Sequence, residues 1–158
     1  MNTFAVIGNR LPAGYEPLLA KLLTALHARG MTMRTHKGEL GDLAMELFPG
    51  GKFSFWPSLD QTGTIYHVDP RSADLSKSLI RTVPGFTKAP ADTKALAMAV
   101  GAAVMGLDGK TGSRFVVTLE DGDLSKKVPW FVASKLGFKV HNITDRNQLS
   151  ELLCKLKS

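Results

Sequence analysis

Two hydrophobic periods alternate along this chain, and that alternation restricts the fold more than any single motif. Phe4-Ala5-Val6-Ile7 is a short apolar run that ends in Gly8-Asn9-Arg10. Pro17 to Arg29 then places Leu18, Leu19, Leu22, Leu23 and Leu26 on one helical face. Arg29-Gly30 reads as its stop, a cation at the negative end of the helix dipole followed by glycine. Met31-Thr32-Met33-Arg34-Thr35 is a second strand-like run, leading to His36-Lys37-Gly38 and then Gly41-Asp42. Leu40, Leu43, Ala44 and Leu47 fit a short helix before Pro49-Gly50-Gly51.

The same rhythm continues to the far end. Lys52 to Trp56 alternates and is aromatic, so it is predicted as a strand, and Thr64 to Val68 as another. Asp69-Pro70 reads as a cap and first residue of a helix running to about Ile80. Pro57–Gly63 and Val83–Pro90 are irregular. Asp92 or Thr93 is expected to cap a very apolar helix, Lys94 to Gly106, rich in alanine and glycine. Arg114 to Leu119 follows as a buried strand. A helix from Pro129 to Leu136-Gly137, a last strand from Lys139 to Ile143 and an amphipathic helix from Asp145 to Lys157 complete the pattern. Strands separated by helices must be joined by crossovers, which gives a parallel sheet covered on both faces. The expected fold is one doubly wound, Rossmann-like α/β domain over residues 1–158, with a mostly parallel sheet flanked by helices. A chain of 158 residues is long enough for one proper core.

Several function classes are disfavoured. The longest apolar stretch, Ala95 to Leu107, is too short to cross a bilayer, so no membrane partner is expected. The start lacks the basic residues of a secretory signal, which points to a cytoplasmic protein. A lone Cys154 excludes an internal disulfide and any multi-cysteine metal site; it is expected as a small apolar filler. His27, His36, His67 and His141 have no zinc-like spacing, so no metal is expected. Gly109-Lys110-Thr111 lacks the earlier glycine and the strand–loop–helix order of a Walker loop. No G-x-S-x-G elbow occurs. The net charge of +6 favours an anionic partner such as a nucleotide or single-stranded DNA.

In an open parallel sheet, ligands bind beyond the carboxyl ends of the strands. Gly8, Asn9 and Arg10 end the first strand, and Arg34, His36, Lys37, Gly38, Gly41 and Asp42 surround the end of the second. Glycine lets backbone amides approach a phosphate, and arginine can add a bidentate contact. The helix after Gly38 opens with free amide donors, and Asp42 suits a cap or a ribose hydroxyl. Glu120-Asp121-Gly122-Asp123 follows the central buried strand; it fits sugar hydroxyls, a divalent cation or a solvent turn. Lys126 and Lys127 open the next helix and can supply positive charge. Trp56 and Trp130 could stack on a base or serve as core residues.

Val6-Ile7-Gly8-Asn9-Arg10, the Arg34-Thr35-His36-Lys37-Gly38 segment with Gly41-Asp42, and the order of the later elements together resemble the SLOG superfamily. That group of Rossmann-like domains includes the DNA-processing protein A family, the LOG-type cytokinin-activating enzymes and many small prokaryotic and phage proteins. The resemblance runs from about Thr3 to Ile143 and includes Trp130 to Ser134 leading to Gly137 and His141-Asn142. Where such proteins usually carry a P-G-G-x-G-T loop, this chain reads Leu119-Glu120-Asp121-Gly122-Asp123-Leu124-Ser125-Lys126-Lys127, with one glycine. The expected function is therefore non-catalytic binding of a nucleotide or nucleotide-derived ligand at Gly8, Asn9, Arg10, Arg34, His36, Lys37, Gly38, Gly41, Asp42, Gly122, Lys126 and Lys127, with no further cofactor. Three alternatives stand beside it. One is a nucleotide N-glycosidic bond hydrolase with Glu39, Glu46 or Glu120 as the catalytic carboxylate. The others are DNA binding and a structural role, the latter with the Lys94–Gly106 helix as a contact between copies. A prokaryotic or phage-infected host cytoplasm is the setting the resemblance implies.

Overall fold

The computed structural model describes residues 3–8, 10–36, 38–55, 58–59, 65–66, 91–105, 112–119 and 127–157. Five strands build one all-parallel sheet: β1 (Thr3–Ile7), β2 (Thr32–His36), β3 (Lys52–Phe55), β6 (Phe115–Thr118) and β7 (Val140–Asn142). Their spatial order is β3-β2-β1-β6-β7. Two short strands, β4 (Ser58–Leu59) and β5 (Ile65–Tyr66), pair antiparallel as a separate ribbon. Five helices accompany the sheet among the described residues: α1 (Glu16–Ala28), α2 (Glu39–Leu47), α3 (Ala91–Met105), α4 (Val128–Lys135) and α5 (Arg146–Lys157). This is the expected Rossmann-like α/β architecture.

Strand periodicity splits the core into two layers. Phe4 and Val6 of β1 and Phe115 and Val117 of β6 face α1, α2 and α5. Their neighbours Ala5, Ile7 and Val116 face α3 and α4. Phe4 anchors the first layer, with its ring edge-on to Phe48 at 5.5 Å and stacked on Phe115 at 5.7 Å. Alternation of this kind on a sheet with two apolar faces explains why β1 and β6 read as unbroken hydrophobic runs.

α3 has almost no amphipathic bias in its sequence, and the fold accounts for that. Every residue from Ala97 to Val104 is buried. The helix touches β1, β2 and β3 and packs against α4. A helix that is apolar all round belongs inside. Its small residues therefore serve packing within this chain, and the Ala97–Val104 stretch leaves no open face for a second copy. α3 also begins at Ala91, earlier than expected, so Asp92 and Thr93 fall in its first turn rather than ahead of it.

α1 closes as its sequence suggests. Gly30, at φ 73°, donates its N–H to the His27 carbonyl at 2.9 Å. Arg29, at the cap, sends its guanidinium to the Leu156 carbonyl, tying the carboxyl ends of α1 and α5 together. α5 starts on Asp145, whose Oδ1 accepts the Asn147 N–H at 2.9 Å. Cys154 is exposed on α5 and so is not an apolar filler. Its position falls on the outer side of a helix whose buried stripe is Leu152 and Leu156. No described helix is long and apolar enough to cross a membrane. The helix expected from Asp69 to Ile80, the irregular loop Val83–Pro90 and the Gly109-Lys110-Thr111 turn lie outside the described residues.

Candidate functional site

Strand order locates the site. From β1 the chain moves outward to β2 and β3, then returns to β6 on the other side of β1. The crossover direction reverses between β1 and β6, so a crevice opens beyond their carboxyl ends. Gly8 and Arg10 follow β1 there, Leu119 follows β6, and Lys127 precedes α4. On one flank the end of β2 leads through Gly38 into α2.

Gly8 turns the chain out of β1 with φ 143°, a conformation that L side chains avoid. Its N–H donates to Nε2 of His36 at 3.1 Å, and both groups are buried. As the acceptor, Nε2 carries no hydrogen in this arrangement. His36 is wholly buried at the end of β2 and lies on the α3 face, so it fixes the turn rather than reaching across the rim. Thr35 makes a parallel tie on the opposite face: its hydroxyl donates to the Val6 carbonyl at 2.8 Å. Two side chains of β2 thus clamp the last residues of β1.

Arg34 lies two residues inside β2, opposite Ala5, and is 9% exposed. It belongs to the buried wall under α3, not to the rim. Arg10 is exposed beyond β1. Lys127 is half-buried directly ahead of α4, whose second residue is proline. Arg10 and Lys127 therefore both belong to the crevice side of the rim.

The flank at α2 has a different character. Gly38 stands at the cap with φ 156° and ψ 175°, and no side chain caps the helix. Helix geometry leaves the first amides of α2 without an intrahelical acceptor. Glu39 and Asp42 are both exposed in that first turn. Their charge opposes an anion next to the helix, while carboxylates accept hydrogen bonds from sugar hydroxyls. Gly41 explains how close α2 comes to the sheet. A Cβ there would lie 1.9 Å from the His36 carbonyl oxygen and 2.9 Å from the Thr35 hydroxyl. Only glycine permits that approach.

Of the carboxylates named as catalytic candidates, the two that are described lie on one helix. Glu39 opens α2, and Glu46 sits in its last turn, about 10 Å lower at 1.5 Å per residue. Glu120, Asn9, Lys37, Gly122, Lys126, Trp56 and His67 lie outside the described residues. Trp130 is half-buried and packs against the α3–α4 layer. Among the described residues no group of three or more His, Cys, Asp or Glu could hold a metal ion.

A polar cluster that the sequence reading missed closes the end of β7. Asn142 donates its N–H to Gln148 Oε1 at 2.8 Å, and its own Oδ1 accepts the Thr144 hydroxyl at 2.8 Å. Asp145 caps α5 and accepts from the Gln148 amide at 3.2 Å. That hydrogen bond, then the Asn147 amide, holds the Asp145 carboxyl below its ordinary value. The Asp145-x-x-Gln148 spacing is a capping-box pattern and could have signalled it.

The chain matches no family model, no curated protein and no solved structure.

Proposed function

We propose that this chain binds a nucleotide or nucleotide-derived ligand at the carboxyl rim of the sheet without turning it over, in the manner of a SLOG-type domain. The observation that carries the reading is the reversal between β1 and β6, with the positive-φ turn at Gly8 lying in it. The rim is also polarised. Arg10 and Lys127 put positive charge at the crevice, and Glu39 and Asp42 put negative charge at the start of α2. A nucleotide has the matching polarity: phosphate toward Arg10 and Lys127, ribose hydroxyls toward Asp42. The Gly8 N–H is already given to His36, so phosphate contacts fall to side-chain cations rather than to that amide.

Glycosidic hydrolysis needs a carboxylate held at the sugar; Glu39 and Asp42 share the first turn of α2, so the test reads turnover as well as binding. The test is a calorimetric and thermal-shift panel of mononucleotides, NAD, ADP-ribose, cyclic dinucleotides and a short single-stranded DNA. A ligand at a hundred times its dissociation constant stabilises by about 2.7 kcal/mol. For a domain of this size that raises Tm by roughly 5–10 °C. One nucleotide should give such a shift, Arg10→Ala should remove most of it, and chromatography should find the nucleotide unchanged. A panel with no shift for any nucleotide refutes the proposal. Release of free base would move the assignment to a hydrolase.

A further inference from the structure

A second cleft lies at the opposite edge of the sheet, and the rim does not account for it. It encloses about 510 Å³ between the start of β6, the start of β7 and the inner face of α5. Its size falls within the range of small-molecule sites. Three cations stand in its wall: Arg114, Lys139 and Lys155. Arg114 immediately precedes β6, Lys139 immediately precedes β7 and Lys155 lies on α5, and all three residues are exposed. Glu151 of α5 pairs with Lys139 and lies 3.8 Å from Lys155, so one carboxylate answers two ammonium groups. Arg114 has no carboxylate partner among the described residues. The other wall is apolar, built from Phe115, Phe138 and Leu152.

His141 completes the lining, and it is anomalous. It is 2% exposed, on a strand whose three residues are all buried, and its Nδ1 has no hydrogen-bond partner. Buried polar atoms in folded proteins nearly always have one. His141 is a lining residue of this cation-rich cleft, so an anion bound there would sit beside an imidazole whose buried Nδ1 has no protein partner. Desolvation, followed by the charges of Lys155 and Lys139, also holds the ring below its ordinary pKa, with Glu151 pulling the other way. An anion beside the ring would reverse that balance.

We infer that this cleft is a binding site for a small amphipathic acid, with its anionic head among Arg114, Lys139, Lys155 and His141 and its apolar or aromatic body against Phe115 and Phe138. A purely inorganic anion would leave the apolar wall unused. A neutral hydrophobe would leave the cations and the imidazole uncompensated. The site is independent of the rim, since it lies at the amino ends of the strands.

8-Anilinonaphthalene-1-sulfonate is a suitable probe, with uncharged N-phenyl-1-naphthylamine as the matched control and inorganic phosphate as the headgroup alone. Fluorescence titration should give saturable, one-to-one binding of the sulfonate, at least tenfold tighter than either control. The Arg114→Gln/Lys155→Gln double variant changes only exposed side chains and should weaken binding tenfold or more. In NMR spectra the His141 ring resonances should move with saturation, and their acid titration should shift to higher pH in the occupied protein. No saturable sulfonate binding, unmoved His141 resonances, or an unaffected double variant would overturn the inference. Equal affinity for the neutral control would overturn the anionic head, and equal affinity for phosphate the apolar body.

Discussion

Gly41→Ala is the sharpest probe of how the rim is held. In most exposed helix positions this change stabilises, by about 1 kcal/mol, because alanine restricts the unfolded chain and favours helix. Here the new methyl carbon would stand 1.9 Å from the His36 carbonyl oxygen and 2.9 Å from the Thr35 hydroxyl. The nearer group is main chain at the last paired residue of β2, so it cannot swing aside as a flexible side chain could. To restore even a tight contact α2 must retreat by about 1 Å, and forcing an extra carbon into a packed interior costs about 1–3 kcal/mol, sometimes more. Because the obstacle is main chain, the upper part of that range applies. After subtracting the helix-propensity gain, a net loss of about 1–2 kcal/mol remains. That lowers Tm by roughly 2–8 °C for a chain of this length. Urea and thermal denaturation of the two proteins measure it. Nucleotide affinity should fall in parallel, since the displaced helix carries Gly38, Glu39 and Asp42 away from the Gly8 turn. A Gly41→Ala protein as stable as the parent or more so would refute the close approach of α2 to β2, and with it the geometry assigned to the rim.

Two further outcomes follow from buried histidines. His36→Leu leaves the buried Gly8 N–H without its acceptor, which costs about 1–3 kcal/mol, read as a lower urea midpoint; an unchanged midpoint would mean that the bond contributes nothing. His141 has a folded-state pKa below its ordinary 6.5, chiefly from burial, so the unfolded chain binds the extra proton first. Its contribution is fully present above pH 6.5 and is lost as pH falls from there through the lower folded value. His141→Leu should therefore flatten the acid limb of a stability–pH profile measured by urea titration between pH 7.5 and 5, and a limb of unchanged steepness would sink this reading.

How much of this was legible in the sequence depends on what each residue's neighbours contribute. The strands β1, β2, β3, β6 and β7 were readable because apolar runs, aromatic alternation and glycine-bearing turns are local signals. α1 and α5 were readable because one face of each is wet. α3 was readable as a helix, but its small residues also suited a contact between copies. Only the sheet order shows that the helix lies across three strands, which leaves no outer face over Ala97–Val104. Arg34 and His36 were legible as residues near a strand end but not as buried ones. Their inward direction follows from the register with Ala5 and from α3 above them, and neither is written in the local pattern. The cleft at His141 was illegible for the same reason: it assembles residues 114, 139, 141 and 155, and their only common property in sequence is ordinary basic character.

The rim and the core are one mechanical unit here. A glycine turn at a strand end is by itself compliant, because glycine has a wide choice of backbone angles. In this chain the turn is held from beneath by His36, and the residue before its strand's last is held by the Thr35 hydroxyl on the other face. Both side chains come from β2, the strand that also delivers the chain into α2. The position of Gly8 relative to the start of α2 is therefore set by packing under α3 and at Gly41, before any ligand arrives. A rim of this kind has little conformational freedom left to lose on binding, and preorganisation is what lets a few polar contacts give useful affinity. It follows that substitutions at Gly41 or His36, neither of which touches the ligand in the proposed arrangement, should weaken binding by loosening the rim, while Arg10→Ala should weaken binding and leave stability in the absence of ligand unchanged. That separation between stability and affinity distinguishes the residues that hold the rim from the residue that uses it.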